Sequence, residues 1–456
     1  MHHQNIEDIF SFYNSGATRP YQFRKNQLQK LYKAVQFFEK KIFEALHKDL
    51  HKSAEESYTT EVGVVLSELS HCIKHLKVWM APTNVSTPLV LMPSSSKIIY
   101  DPLGVCLIIA PWNYPFQLLI APLMGAIAGG NCAVLKPSEF TPHTTAVIKE
   151  MMEATFDKNY ITVIEGDGIT VVPQLMNEYR FDHVFFTGSI AVGKEIAKLA
   201  APKLIPTTLE LGGKSPCIID KDIDLKSTVQ RITWGKFTNA GQTCVAPDYL
   251  LIHESKKDAV IEGIKKSIKK FYGENPNQSN DYGRIINENR FNKLCSYLNN
   301  GEIVTGGNAN KDDLYIAPTL MHNIKENAAI MQDEIFGPLL PIFTYTEINE
   351  AVEKIKEHAN PLSLYIFSNN KSVQNKIVEN ISFGGGCINN TLVHLGNPEL
   401  PFGGVAYSGM GMYHGEFSFK TFTRPKAIIK SSTLIEPSIK YPPYKGKLKF
   451  LKWMLK

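Results

Sequence analysis

One cysteine, Cys244, lies in the run Phe237-Thr-Asn-Ala-Gly-Gln-Thr-Cys-Val-Ala-Pro-Asp248, with glycine and amide residues crowded in front of it. A thiol held there, at the edge of a buried strand, can attack a carbonyl, but only as the thiolate. An ordinary cysteine, with a pKa of about 8.5, is mostly protonated at neutral pH, so a base is required. His253 falls on the far side of the following strand, which leaves a cysteine–histidine pair without local support. Glu210, in Thr208-Leu-Glu-Leu-Gly-Gly-Lys-Ser-Pro216, is the more economical base, acting through water. Asn113, in Pro111-Trp-Asn-Tyr-Pro115, adds a side-chain amide able to donate to an oxyanion. Singly, a glutamate at a strand end is usually solvated, and an asparagine between aromatics is usually a turn residue. Together the three residues point to covalent catalysis on a carbonyl.

These residues need a scaffold, and the chain shows one. Residues from Ile6 to Met80 carry apolar positions at helical spacing (Leu31, Val35, Phe38, Ile42, Leu46), with a second periodic stretch from Val64 to Trp79. A Pro/Ser/Thr-rich stretch from Pro82 to Asp101 breaks that period. Four strand–helix units follow: Val105–Ala110 with Phe116–Ala128, Cys132–Lys136 with His143–Ala154, Ile161–Glu165 with Ile169–Met176, and His183–Phe186 with Ile190–Ala201. Such a succession requires right-handed crossovers and a parallel sheet, which binds ligands at the carboxyl ends of its strands. A second alternating section starts near Thr208 and includes Val260–Phe271, Glu326–Gln332, Ile348–His358 and Val373–Asn380.

Composition excludes several classes. At 456 residues the length suggests two to four lobes. No apolar run reaches the roughly 18 residues that cross a bilayer, and the first residues lack the pattern of a signal peptide, so a cytoplasmic location is expected. Seven cysteines, an odd number without CxxC spacing, argue against a disulfide framework and against a metal site. A net charge of +5, spread along the chain, does not imply nucleic acid. At the end, Tyr444-Lys-Gly-Lys-Leu-Lys-Phe-Leu-Lys-Trp-Met-Leu-Lys456 interleaves lysines with apolar residues. This segment suits weak contact with an anionic membrane surface, peripheral to the cytoplasm. The favoured reading is a solvated tail or a strip on a partner subunit, because one short helix without a lipid anchor binds weakly.

No GxGxxG follows the first strand. Instead, Phe185-Phe-Thr-Gly-Ser189 leads into Gly193 where a strand turns into a helix, and the free N–H groups of a helix capped by Ser189 attract a pyrophosphate. Val134-Leu-Lys-Pro-Ser-Glu139 places Lys136 and Glu139 at the end of the second strand, within reach of ribose hydroxyls; the bland reading is a surface lysine beside a helix cap. A carboxylate near the ribose disfavours a 2′-phosphate by repulsion, so NAD is expected.

Taken together, these segments make the chain resemble the aldehyde dehydrogenase superfamily, in its class 3 or fatty-aldehyde branch. Further details carrying the resemblance are Trp234-Gly-Lys-Phe237, Phe271-Tyr-Gly-Glu274, Glu334-Ile-Phe-Gly-Pro338, Pro401-Phe-Gly-Gly404 and Ser408-Gly-Met-Gly-Met-Tyr-His-Gly415. The resemblance implies an α/β fold with a Rossmann-type NAD-binding lobe (1–81 and 101–207), a second α/β catalytic lobe (208–400), oligomerisation arms (82–100 and 425–443) and a basic tail (444–456). It implies Cys244 as nucleophile, Glu210 as the base that activates water, and Asn113 with the Cys244 N–H as oxyanion donors. For the coenzyme it implies Trp112, Lys136, Ser138, Glu139, Thr187, Gly188, Ser189, Gly193, Leu211, Gly212, Glu334 and Phe336, with NADP also accepted. For the aldehyde it implies Tyr58, Tyr114, Thr243 and Phe402. Trp112 is expected to share in an apolar tunnel favouring aliphatic, aromatic or isoprenoid aldehydes, and Tyr407 stands where the class has small or polar residues, expected to narrow its inner end. A homodimer is expected from the same likeness.

Two other readings fit the same residues less well. An acylating enzyme that passes its thioester to coenzyme A would lack the water-activating glutamate, so Glu210 speaks against it. A non-catalytic binding or structural protein of the same fold would usually have lost one of the three chemical residues, and all three are present.

Overall fold

Val105–Ile109, Cys132–Lys136 and His183–Thr187 are buried at every position, as their continuous apolar runs require of central strands in a parallel sheet covered on both faces. In the computed structural model, which describes residues 2–325, 327–358, 360–436 and 438–455 (residues 2–5 by backbone alone), these strands form a six-stranded sheet. In sequence terms its parallel strands run third, second, first, fourth, fifth, and the short antiparallel strand Gly409–Met410 closes the edge. The strand order reverses between Val105–Ile109 and His183–Thr187, which opens a crevice at their carboxyl ends.

The fifth parallel strand is Thr207–Glu210, which pairs with His183–Thr187. The expectation that the second lobe starts near Thr208 is therefore corrected: this strand belongs to the first sheet, and the chain crosses over after Glu210. Apolar alternation identifies a strand but not the sheet that recruits it. The second sheet has seven strands, starting with Pro216–Ile219, and is parallel except for the edge strand Glu302–Thr305. Beyond it the chain returns, and Gly415–Thr421 packs on the helices Gln117–Gly129 and Gly63–Trp79.

The helical lead-in comprises His2–Asn14, Tyr21–Leu50 and Gly63–Trp79, the last two joined through a short helix and a π-turn at Tyr58–Val62. Gln117–Gly129 is apolar all round and buried along its whole length, between the first sheet and these helices. The Pro/Ser/Thr-rich segment forms an arm in which Ser94–Pro102 pairs antiparallel with Thr423–Ser431 over nine residues and with Thr83–Val85 on its other side.

Ala329–Gln332 is the helix expected at Glu326–Gln332, and it is shorter. Glu326 lies outside the described residues, as do Pro437 of the second arm and Lys456 of the tail. Within the tail, Leu448–Met454 is helical with Leu448, Phe450 and Trp453 exposed.

Candidate active site

The turn ahead of the strand Tyr249–His253 carries Cys244, and its backbone is unusual. Asn239, Ala240 and Gly241 are all left-handed, with φ of 53°, 51° and 75°. For alanine that region costs roughly 1–2 kcal/mol, so outside forces must hold it. A Cβ at Gly241 would lie 2.3 Å from the Gly337 carbonyl, which restricts the position to glycine.

The force is a buried polar network centred on Asn113. Its carbonyl accepts from Lys52 Nζ (3.0 Å) and Asn239 Nδ2 (2.8 Å), while its own Nδ2 donates to the Gln242 carbonyl (3.0 Å). Gln242 in turn donates to the carbonyls of Asn239 (3.1 Å) and Arg284 (2.8 Å) and accepts from the Ile286 N–H (3.0 Å). Lys52 is paired with Glu61 (2.6 Å), both side chains fully buried, and Glu61 Oε2 accepts the N–H groups of Phe116 and Gln117 at the start of the buried helix. One connected set of bonds thereby fixes the amide loop, the cysteine turn and the helix between them. Tyr114 joins it through its hydroxyl on Thr243 Oγ1 (2.5 Å) and the Lys52 ammonium 4.0 Å above its ring.

Cys244 lies between two cavities and lines both. Burial pushes its thiol far up, and the Glu334 and Glu210 carboxyls add to that, against backbone N–H groups of Cys244 and Val245. Burial also holds the Glu210 carboxyl well above the usual carboxylate range, and neither of its oxygens has a hydrogen-bond partner among the described residues. Glu334 is raised to about 8 by burial and by Asp248, opposed by the Gly213 N–H, Arg290 and Lys214. At pH 7 the thiol and the Glu334 carboxyl are neutral in the resting site, and burial disfavours ionisation of Glu210.

The cavity on the sheet side, about 550 Å³, is the crevice at the strand-order reversal. Of the residues expected to hold coenzyme, Trp112, Thr187, Gly188, Ser189, Leu211, Gly212, Glu334 and Phe336 line it, together with Asn113, Glu210 and Cys244. Ser189 caps the helix Ile190–Ala200 by accepting from the Val192 N–H (3.4 Å). Thr187 Oγ1 is buried and without a partner among the described residues, as a group awaiting a ligand would be. A Cβ at Gly212 would stand 2.0 Å from the Glu334 carboxylate, so only glycine lets that carboxylate come so close. Trp112 meets Phe336 edge-on (5.3 Å), and Arg290 lies over the other ring (5.8 Å). The Glu334 segment is bolted down from behind: Lys214 is ion-paired to Asp248 and donates to the Ile330 and Asp333 carbonyls (3.0 Å each), and Asp248 accepts the Ile335 N–H (2.9 Å).

Four expected coenzyme residues are not in that lining. Gly193 is a packing position, where a Cβ would meet Leu211 at 2.6 Å. Lys136 and Glu139 sit at the next strand end and pair with each other (3.1 Å), Glu139 also accepting the Gly168 N–H (3.1 Å). Ser138 is turned into its own chain, accepting from the Phe140 N–H (3.3 Å).

The second cavity, about 210 Å³, is mostly apolar and lies on the opposite side of Cys244. Tyr114, Thr243 and Phe402 line it as expected, with Leu118, Trp234 and Leu395. Three expectations are corrected. Trp112 lines the coenzyme-side cavity and not the apolar one, whereas Tyr114, two residues on along a bend, lines the apolar one. Tyr58 is half exposed and lines a separate chamber beyond the tunnel. Tyr407 is an exposed residue under the Lys194 ammonium (5.4 Å), on the far side of the strand Thr207–Glu210, and narrows nothing. Sequence reasoning missed Lys52, Glu61, Asn239, Gln242 and Arg290. Only the Asn-Ala-Gly-Gln run carried a signal, since Asn and Gly tolerate left-handed backbone.

The model of the aldehyde dehydrogenase family matches residues 12–428. Among curated proteins, the 4,4'-diaponeurosporen-aldehyde dehydrogenase of Staphylococcus aureus is 50% identical over 99% of both chains. The dimeric, NADP-preferring aldehyde dehydrogenase of Rattus norvegicus is 44% identical over 96% of each. A substrate-bound Staphylococcus aureus AldH structure superposes with a TM-score of 0.98 at 50% identity, over 100% of each chain.

Two measurements check the site. Lys52→Met leaves Glu61 buried and unpaired and is expected to cost about 3–5 kcal/mol in urea unfolding, with reduced turnover in the folded fraction; an unchanged unfolding midpoint contradicts the network. Alkylation of Cys244 by iodoacetamide, followed by peptide mapping in coenzyme-free protein, is expected to be slow at pH 7 and still climbing past pH 9. Glu334→Gln should move that profile to lower pH, because the carboxylate formed above about 8 opposes a thiolate. A plateau below pH 8 would refute this.

Proposed function

Because the chain belongs to the aldehyde dehydrogenase family, we propose that it oxidises apolar aldehydes to carboxylic acids with NAD or NADP through a thioester on Cys244. The observation that carries this reading is one sulfur shared by two cavities, one apolar and one at the strand-order reversal. The acylating and non-catalytic readings are not favoured, since Glu210 and the remaining groups stand together at that sulfur.

Cys244 Sγ adds to the aldehyde carbon as its proton passes through water to Glu210, which must first be ionised. The new oxyanion accepts from the Cys244 N–H and from Asn113 Nδ2, which uses one of its two hydrogens on Gln242 and has the other for the ligand. When bound, a nicotinamide coenzyme would supply the hydride acceptor needed to oxidise this adduct to the thioester on Cys244. Once it has passed that first proton on to solvent water, Glu210 takes one from the water that attacks the thioester carbon and returns it to the departing sulfur, so the acid leaves and the Cys244 thiol is restored. Thr187 Oγ1, the N–H groups at the Ser189 cap and Glu334 are the groups that would hold coenzyme in the larger cavity, with Lys136 and Glu139 at the neighbouring strand end outside its lining. The lining of the smaller cavity excludes water from the thioester and suits alkyl, aryl or polyene chains better than charged ones.

The relative from Staphylococcus aureus is named for a carotenoid-type aldehyde, which supports the long, apolar end of this range. We further infer a homodimer built on the arm sheet. Met92, Ile429, Leu434 and Ile435 are exposed on or next to those arms, and a partner copy would cover them.

The substitutions separate the roles. Cys244→Ala is expected to abolish NADH formation with hexanal or benzaldehyde. Asn113→Ala should lower turnover by about 10²–10³ with the fold intact, and wild-type rates in that variant would remove it from the oxyanion site. Glu210→Gln should give a first burst of NADH followed by slow turnover; unchanged steady-state kinetics would reject its place in hydrolysis. Light scattering is expected to give twice the chain mass, and a monomer at micromolar concentration would sink the arm assignment.

A further inference from the structure

Past the apolar cavity lies a second chamber of about 280 Å³, which shares Thr59, Val64, Leu395 and Gly396 with it. Two polar side chains stand at the junction. Glu68, on the helix Gly63–Trp79, lines the chamber, and His414 lines the apolar cavity, stacked on Phe402 (5.3 Å). His414 Nδ1 is 3.5 Å from Glu68 Oε1. Glu68 is 6% and His414 2% exposed, yet neither Glu68 oxygen nor His414 Nδ1 has an aligned hydrogen-bond partner among the described residues.

Buried polar side chains are nearly always satisfied, and those that are not need a reason. Three such atoms sharing one junction, in a mostly apolar passage, form a place for a small group that both donates and accepts. Resting on the assignment of the passage to an apolar aldehyde, we propose that Glu68 and His414 bind a hydroxyl at the far end of the substrate, so that the enzyme selects apolar aldehydes carrying an alcohol at the end opposite the reacting group.

The chemistry is complementary. Burial raises Glu68 to about 8 and lowers His414 to about 4, so both are neutral at pH 7. The protonated Glu68 donates to the hydroxyl oxygen, and the hydroxyl donates to an unprotonated His414 Nδ1. A plain alkyl end leaves the junction with only the long Glu68–His414 contact, and the desolvation of these groups then counts against binding. The junction takes no part in bond making at Cys244, so its effect falls mainly on KM.

The test compares kcat/KM for straight-chain alkanals, hexanal to dodecanal, with their ω-hydroxy counterparts in the wild type, Glu68→Gln, Glu68→Leu and His414→Asn. Asparagine is chosen because His414 has φ of 82°, where Asn is better tolerated than most residues. At the chain length that spans the passage, the wild type should favour the hydroxyaldehyde by about tenfold. Glu68→Leu and His414→Asn should bring that ratio close to one through KM, and Glu68→Gln should keep part of it. A wild-type ratio at or below one at every length, as when water alone fills the junction, overturns the proposal. So does a ratio that Glu68→Leu leaves unchanged. If Glu68→Leu does not fold by circular dichroism, the other two variants decide by the same criterion. Failure to oxidise any alkanal, alongside turnover of short charged aldehydes, would reject the apolar-substrate reading itself and this proposal with it.

Discussion

The carbonyl oxygen of Asn113 is the point on which the site depends. It is buried, it accepts from Lys52 and Asn239, and the side chain of the same residue reaches Gln242. Residue 113 follows a strand of the first sheet, whereas residues 239–244 lead into a strand of the second. The amide and the thiol are therefore set against each other by hydrogen bonds between two lobes, and neither loop alone would hold its shape. The strain of two successive left-handed non-glycine residues, Asn239 and Ala240, is absorbed there, and the ion pair of Lys52 with Glu61 ties the assembly to the helical lead-in.

That arrangement explains how a site whose acids are all weakened by burial can still work. Burial disfavours the charged forms of the thiol and the carboxyls at rest, which protects the sulfur from adventitious attack. The sulfur lies where two cavities meet, so charge need form only when ligands fill them and replace water with oriented donors. The Lys214–Asp248 pair plays the corresponding part for Glu334, tying the backbone on both sides of it to the second sheet.

Local chemistry was readable from the chain wherever residue type and order carried it. Cys244, Glu210 and Asn113 stand out because nucleophile, acid and amide each sit beside glycines or prolines at strand ends, and the sheet's strands follow from continuous apolar runs. What failed was anything set by direction. Whether Trp112 or Tyr114 faces the tunnel depends on the bend through residues 112–114, and which sheet takes Thr207–Glu210 depends on a crossover after it. Tyr58 and Tyr407 were misplaced for the same reason: an aromatic in a suggestive segment does not say which cavity it reaches. Lys52, Glu61 and Gln242 left no pattern, because a buried pair or an amide bridge is defined by distant partners.

The central claim, that Cys244 is acylated during turnover, is tested most directly by intact-protein and peptide mass spectrometry on the Glu210→Gln variant, quenched in acid while an apolar aldehyde and NAD are saturating. The account predicts a mass increase equal to the acyl group, located on Cys244 and absent without coenzyme. Steady NADH formation under those conditions, with Cys244 always unmodified, would contradict it.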